Sequence, residues 1–251
     1  MTVPPAYDVV RVGAVRAAIR RDLRPLLDSW LLAPRLDLPP GAKPFASGRG
    51  GAFRFELPGG MRVVVRLYRR GGVLARLVRE TYLGVRPRPL RELALTAEIQ
   101  RRGVPTVDVL AARVEGRLLY RGALVTAELP SAKTLIDALR GADPATRRLL
   151  AASTGRAIAA LHEAGVWHAD LNMTNILVTP GPEGGRIVLL DFDQARLGDA
   201  PLPLAARRRN LARLARSLAK LDHDGMVGAE ERRVFRSAYA SAGTGEVSCA
   251  S

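Results

Sequence analysis

The stretch Val166-Trp167-His168-Ala169-Asp170-Leu171-Asn172-Met173-Thr174-Asn175-Ile176-Leu177-Val178, followed by Ile187-Val188-Leu189-Leu190-Asp191-Phe192-Asp193, decides the reading of this chain. An acid and an amide lie five residues apart on a loop before a short strand, and a second acid ends the next strand. Such spacing lets three side chains converge. Phosphoryl transfer asks for this set: a carboxylate to orient an acceptor hydroxyl and receive its proton, and an oxygen-ligand pair for the Mg2+ that neutralises phosphate charge. Asp170 fits the base, and Asn175 with Asp191 the metal ligands. The competing reading is a loop with an ordinary cap and a strand-end acid.

The surroundings supply a sheet-rich first part and a helical second part. Ala52 to Leu57 alternates apolar with polar residues, Pro58-Gly59-Gly60 turns, and Met61 to Leu67 is a β-branched run, so two strands are expected. Leu90 to Arg102 has near-helical apolar spacing and stops at Gly103 and Pro105. Val107 to Val114 and Leu118 to Leu129 read as a second hairpin, with Glu115-Gly116 at the turn. Helices are expected over Thr134 to Leu139, Pro144 to Ala164 and, last, Ala205 to Leu221, with Leu211, Leu214, Leu218 and Leu221 on one stripe. Short strands Asn175 to Thr179 and Arg186 to Leu190 flank a Gly- and Pro-rich turn. Residues 1–45, rich in proline around one helix candidate from Gly13 to Leu27, read as an N-terminal appendage.

His168 through Asn175 resembles the catalytic loop of the protein-kinase-like superfamily, H-x-D-x-x-x-x-N, and Asp191-Phe192-Asp193 resembles its D-F-G turn with the third place changed. The resemblance implies an α+β, bilobal fold: an antiparallel-sheet N-lobe over 46–127, a helical C-lobe with the catalytic loop over 128–245, and a tail, 246–251. It also implies ATP and Mg2+ as cofactors. Ser47-Gly48-Arg49-Gly50-Gly51 would then close over ATP phosphates with backbone N–H groups, although a Gly-rich turn between strands reads as well as a plain β-turn. On the strand where kinases carry a phosphate-binding lysine stands Arg66, and Glu92 on the next helix is its natural partner; two solvated charges are the alternative. Glu128 and Leu129 fall where kinases bond adenine through the backbone. Asn172 occupies the place of a lysine that touches the γ-phosphate; as a neutral amide it would orient the acceptor hydroxyl. His168 reads as a loop brace, Phe192 as packing and His162 as a helix end.

Only 60 residues follow Asp191 and they contain no Ala-Pro-Glu, so a small-molecule or glycolipid acceptor is favoured over a peptide. A narrower resemblance agrees. Gly48-Arg49-Gly50-Gly51, Arg66 to Gly72, Arg91-Glu92-Leu93, Gly103-Val104-Pro105, Tyr120-Arg121, His168 to Asn172 with Asn175, Asp191-Phe192-Asp193, and Asn210-Leu211 with Arg213-Leu214 and Arg216-Ser217 resemble the bacterial lipopolysaccharide core kinases, in particular those acting on 3-deoxy-D-manno-octulosonic acid (Kdo). In that family Asp193 in place of glycine and arginine in place of lysine are both expected. The resemblance implies transfer of the γ-phosphate of ATP to the 4-hydroxyl of Kdo on the Kdo-lipid A precursor. Gly122-Ala123 after the Tyr-Arg pair is a departure. Two other readings stand beside this one: a heptose or other sugar kinase of the same fold, and a non-catalytic pseudokinase that binds nucleotide or an anionic surface.

Composition narrows the rest. Across 251 residues, 39 Lys plus Arg against 24 Asp plus Glu give a formal charge of +15, which calls for a polyanionic partner. Only three of the cations are lysines, Lys43, Lys133 and Lys220, and each follows alanine where a Walker A loop needs Gly-Lys-Ser/Thr, so that loop is excluded. One cysteine, Cys249, and three histidines exclude a disulfide framework and a Cys/His zinc cluster. No apolar run approaches the ~18 residues of a membrane span. Eleven arginines between Arg62 and Arg102, and seven cations from Arg196 to Lys220, suit phosphorylated lipid and an anionic leaflet. Arg69, Arg70, Arg76 and Arg79 are the candidates for acceptor phosphate or carboxylate contacts. The expected location is cytoplasmic and peripheral on the inner membrane, with no nucleic acid and no obligate protein partner.

Overall fold

The computed structural model describes residues 3–45, 51–68, 82–83, 87–116, 119–181 and 184–243. The chain divides into two compact units, Met1–Glu98 with Asp108–Glu128, and Ile99–Val107 with Leu129–Ser251.

Among the described residues the first unit holds an antiparallel sheet of eight strands: β1 Tyr7–Val12, β2 Val15–Arg20, β3 Lys43–Pro44, β4 Ala52–Glu56, β5 Arg62–Leu67, β6 Tyr82–Leu83, β7 Val109–Gly116 and β8 Leu119–Ala127. They run in the order β1-β2-β7-β8-β5-β4-β3, with β6 also paired to β8. Helix α1, Arg24–Leu31, covers one face, where Leu27 and Leu31 meet Ile19, Phe55, Val63, Val65 and Val125. The opposite face packs Ala18, Tyr68, Ala112 and Leu124 against Leu93 of α2, Arg88–Arg101. Alternation along β4 and β5 puts Phe55, Val63 and Val65 inside while Arg54, Glu56 and Arg62 stay exposed.

The N-terminal segment departs from expectation. In place of a helix over Gly13 to Leu27 there is a hairpin, turning at Gly13 with φ +55, whose β2 pairs with β7 from Val15↔Glu115 to Ile19↔Ala111. The strands of residues 7–20 are therefore part of the sheet. Ala17, Ala18 and Ile19 are all buried because β2 has a cluster on each face, and such consecutive burial mimics helical spacing. Arg113 on β7 anchors the chain where it leaves α1: it is buried and donates to Leu31 O and Ala33 O at 2.6 Å and to Glu115 at 2.7 Å. These bonds satisfy carbonyls at the end of α1 that would otherwise lack partners.

The second unit is mostly helical, with α3 Leu135–Arg140, α4 Pro144–Glu163, α5 Leu204–Leu221 and α6 Ala229–Ala242. Helix α4 starts where Asp143 accepts the Thr146 N–H at 2.9 Å with Pro144 behind it. Helix α6, which the sequence reading lacks, packs along α4. Its inner face contains Glu231 and Tyr239 rather than a leucine stripe, so periodicity gives little sign of it. Five short strands complete the unit: β9 Lys133–Thr134, β10 Val166–Trp167, β11 Ile176–Thr179, β12 Arg186–Leu189 and β13 Arg196–Leu197, arranged as β12-β11-β9 and β10-β13. Pro105 and Thr106 flank β12: Leu189 N–H donates to Pro105 O at 2.8 Å and the Thr106 hydroxyl to Leu189 O at 2.9 Å.

His162 ends α4 fully buried, its Nδ1 2.7 Å from the Tyr239 hydroxyl. Burial pushes its pKa down from 6.5 to about 4. The unfolded chain thus binds a proton near pH 6.5 that the folded chain refuses until about pH 4. The stabilisation is complete above pH 6.5 and is lost as pH falls toward 4, of order 2–3 kcal/mol. Urea unfolding midpoints measured from pH 7.5 to pH 4.5 should fall steeply, and His162→Gln should flatten that decline; an equal slope in the variant would assign the acid sensitivity elsewhere.

Candidate active site

The register of β11 with β12 builds the centre. Ile176 opposes Leu189, so the residues just beyond, Asn175 and Leu190, meet, and Leu190 N–H donates to Asn175 O at 2.9 Å. The next residue is Asp191, at φ +63, a left-handed conformation that aspartate adopts more readily than most side chains. On the other side of the loop, β10 pairs with β13, Val166 against Leu197 and Trp167 against Arg196, whose guanidinium lies 5.3 Å from the indole ring centroid.

His168 joins these strands. It is buried; its Nδ1 accepts the Asp170 N–H at 3.1 Å and its Nε2 lies 2.8 Å from Leu190 O. Nδ1 must be bare and Nε2 protonated for both contacts, which is the neutral ring. Burial also holds its pKa below the usual value. Phe192, buried, sets its ring 5.0 Å from the imidazole. The expected roles of brace and packing residue describe these two side chains.

The loop is ordered from within. Asn172 Oδ1 accepts the N–H groups of Thr174 at 2.9 Å and Asn175 at 3.0 Å and the Thr174 hydroxyl at 2.7 Å, while its Nδ2 donates to Asp170 O at 3.1 Å. In this structure the Asn172 amide is bonded within the turn, in the manner of an Asx motif, and orders the backbone that carries Asp170 and Asn175. Asn175 Nδ2 donates to Asp170 O at 2.9 Å and lies 3.4 Å from Asp170 Oδ2. Asp170 and Asp191 are both exposed. Asp170, Asn175 and Asp191 offer only hard oxygen donors, and two or three such groups suit Mg2+, which keeps waters and shares substrate phosphates. Among the described residues no cluster of three His, Cys, Asp or Glu side chains forms a metal cage.

Helix α5 is fastened beneath the loop. Asn210, buried, donates to His168 O at 2.7 Å and accepts His168 N–H at 3.2 Å, and Ser217 accepts Met173 N–H at 3.1 Å. The expected leucine stripe gives way to Arg207, Asn210 and Leu214 as the buried residues of this helix. Arg207 donates to Leu202 O and to Glu163 at 2.6 Å. Sequence reasoning misses Asn210 and Ser217 as structural partners of the loop; their seven-residue spacing, two helical turns, is the available signal.

In the first unit the structure brings Arg66 and Glu92 together. Arg66 donates to Glu92 and, at 3.1 Å, to the Tyr68 hydroxyl, which itself donates to Glu92. Burial and the Glu92 carboxylate push the Tyr68 pKa well up, so the phenol keeps its proton. The placement of Glu92 follows from α2: the Tyr120 hydroxyl accepts Arg88 N–H at 3.1 Å, and Pro89 lies against Gly122 where a Cβ would collide with its ring. That contact explains the glycine at 122. Gly51 O accepts Leu67 N–H at 2.9 Å, and Glu128 N–H donates to Arg62 O at 2.9 Å, with the Glu128 carboxylate facing Arg54 and Arg62. Leu129 O accepts Ala132 N–H at 3.3 Å. Gly48, Arg49, Gly50, Arg69, Arg70, Arg76 and Arg79 lie outside the described residues.

Among solved structures, WaaP in complex with acyl carrier protein matches 80% of this chain and 78% of its own at TM-score 0.56 and 22% identity. The fold is α+β and protein-kinase-like, and the sequence matches that follow make the chain a phosphotransferase with an alcohol group as acceptor. The sequence model of the lipopolysaccharide kinase (Kdo/WaaP) family matches residues 45–239, and the chain belongs to that family. It is 42% identical over 179 residues to the 3-deoxy-D-manno-octulosonic acid kinase of Xanthomonas campestris pv. campestris (strain B100), spanning 69% of this chain and 68% of the relative. The protein of that name from Xylella fastidiosa (strain M12) is 38% identical over 190 residues, 74% and 72% of the two chains.

Asn210→Ala would leave the buried N–H and C=O of His168 unpaired. The expected cost is about 2–4 kcal/mol of unfolding free energy, accompanied by lost turnover, measured by urea titration and a phosphotransfer assay; a stability unchanged within about 0.5 kcal/mol would contradict the fastening role.

Proposed function

We propose that this chain transfers the γ-phosphate of ATP to the 4-hydroxyl of Kdo on a Kdo-lipid A precursor. The reading rests on one arrangement, the exposed Asp170 carboxylate held beside Asn175 by a loop that β12 and Asp191 adjoin. The acceptor follows from the names of the two relatives.

Asp170 accepts the hydroxyl proton as the sugar oxygen bonds to phosphorus and the bond to ADP breaks. Asn175 and Asp191 would hold a Mg2+ ion, which would supply neutralisation of charge on the phosphate oxygens. Arg66 bonds the α- and β-phosphates, with Glu92 and Tyr68 fixing its direction. Gly48, Arg49, Gly50 and Gly51 supply backbone N–H groups to the triphosphate. Because Glu128 N–H is taken by Arg62 O, adenine would use Glu128 O and Leu129 N–H. Arg69, Arg70, Arg76 and Arg79 meet anionic groups of the acceptor.

The acceptor resides in a membrane, and the protein meets it peripherally on the anionic cytoplasmic face of the inner membrane. Among the described residues no helix is long and apolar enough to cross a bilayer. The outer side of α5 exposes Arg208, Arg209, Arg216 and Lys220, and the helix contains no acidic residue. Each such cation near an anionic leaflet contributes about 1 kcal/mol of attraction.

Asp170→Ala should lower turnover by at least about 100-fold, and Asp191→Asn, which keeps a side chain that tolerates the left-handed backbone, should do so by a similar factor, with thermal unfolding little changed because both side chains are exposed. Chelation of divalent cations should stop transfer and added Mg2+ restore it. Phosphate located on the Kdo 4-hydroxyl by mass spectrometry and NMR supports the assignment; phosphate on a heptose, or full turnover in either variant, removes it.

A further inference from the structure

We propose that Arg213 binds a negatively charged group of the acceptor close to the hydroxyl that is phosphorylated, making it a specificity-determining residue; this deepens the reading of the site given above and rests on it.

Asn210, Arg213 and Ser217 stand three and four residues apart on one face of α5. The outer two are hydrogen-bonded to the catalytic loop at His168 and Met173, so the helix cannot rotate and Arg213 is held against that loop. Its Nη1 lies 3.6 Å from Asp170 Oδ1, with 44% of the arginine side chain and 61% of the aspartate side chain in solvent. That distance is too long for a hydrogen bond, and an exposed pair of this kind contributes little to stability. A permanently charged fork is therefore held over the carboxylate that takes the acceptor proton, with its donors still to be satisfied by hydrogen bonds.

Electrostatics says what it is for. An acceptor hydroxyl must come within ~3 Å of Asp170. If the acceptor carries its own anion nearby, that anion meets the fields of Asp170 and of Asp191 and is repelled. A guanidinium beside Asp170 reverses the sign of that encounter and bonds a carboxylate or a phosphate through two parallel N–H groups. A neutral sugar would give it nothing to bind. Two sources share this chemistry in the proposed acceptor, the carboxylate of the sugar acid and the phosphates of the lipid.

Steady-state kinetics of the wild type and of Arg213→Gln, on the free-acid acceptor, its methyl ester at the sugar carboxylate, and a lipid-dephosphorylated acceptor, tests the inference. On the free acid, Arg213→Gln should raise the acceptor KM about 10- to 100-fold, leave the KM for ATP unchanged, and regain part of the loss as Arg213→Lys. The two proteins should converge on the acceptor lacking the anion that is bound. Convergence on the ester identifies the carboxylate; convergence on the dephosphorylated lipid identifies a phosphate. An equal loss on all three acceptors, or a raised KM for ATP, overturns the inference and assigns Arg213 to the transferred phosphoryl group. Wild-type protein inactive on the free acid would fall on the acceptor reading and take this inference with it, whereas an active wild type matched by Arg213→Gln would fall on Arg213 alone.

Discussion

A neutral, buried imidazole ties the two acid-bearing segments to each other: His168 takes the Asp170 N–H on Nδ1 and gives its Nε2 proton to Leu190 O, the residue before Asp191. The ring is rigid, so the backbone positions of both acids are set by its width. Protonation would place a second N–H against the Asp170 N–H, and charging the ring would carry the full cost of burial. The low pKa of His168 is thus a condition of the geometry rather than a sign of proton transfer. The left-handed Asp191 follows from the same constraint, because Leu190 is bonded through both its N–H, to Asn175, and its C=O, to His168.

A helix whose inner face is polar holds that imidazole. A leucine stripe along α5 would bury more apolar area, yet the residues turned inward include Arg207 and Asn210, each satisfied by backbone or carboxylate partners. Such contacts are directional where apolar contacts are not, and each net hydrogen bond contributes only about 1 kcal/mol. The arrangement favours position over stability. Asn210 reads both backbone groups of His168 at once, which an aspartate with two acceptor oxygens could not do.

Much of the site is legible in the sequence because phosphoryl transfer constrains both residue type and spacing. The loop from His168 to Asn175, the two strands after it and the Arg66–Glu92 pair all follow from the chain as written. The illegible remainder depends on partners distant in sequence. β2 reads as helix because its faces are buried by α1 and α2 from opposite sides, and no local pattern announces that. Helix α6 shows few large apolar residues because α4 receives it through Glu231, Tyr239 and small side chains. Asn172 carries an amide that suits a substrate as well as a turn, and the three donors converging on its Oδ1 show only once the loop is folded.

Arginine at position 66 follows from its neighbours in the same way. Its guanidinium bonds Glu92 and the Tyr68 hydroxyl together and stacks 5.1 Å from the Tyr68 ring centroid. A planar fork can satisfy a carboxylate and a phenol with one edge, which the compact ammonium of lysine does less well. Burial around Glu92 and Tyr68 would also favour loss of a lysine's proton, whereas arginine keeps its charge. Tyr68, kept protonated, completes the anchor by donating to the second Glu92 oxygen. A strand that holds fixed positive charge beside a buried carboxylate and a phenol is therefore better served by arginine, and Tyr68 completes that arrangement.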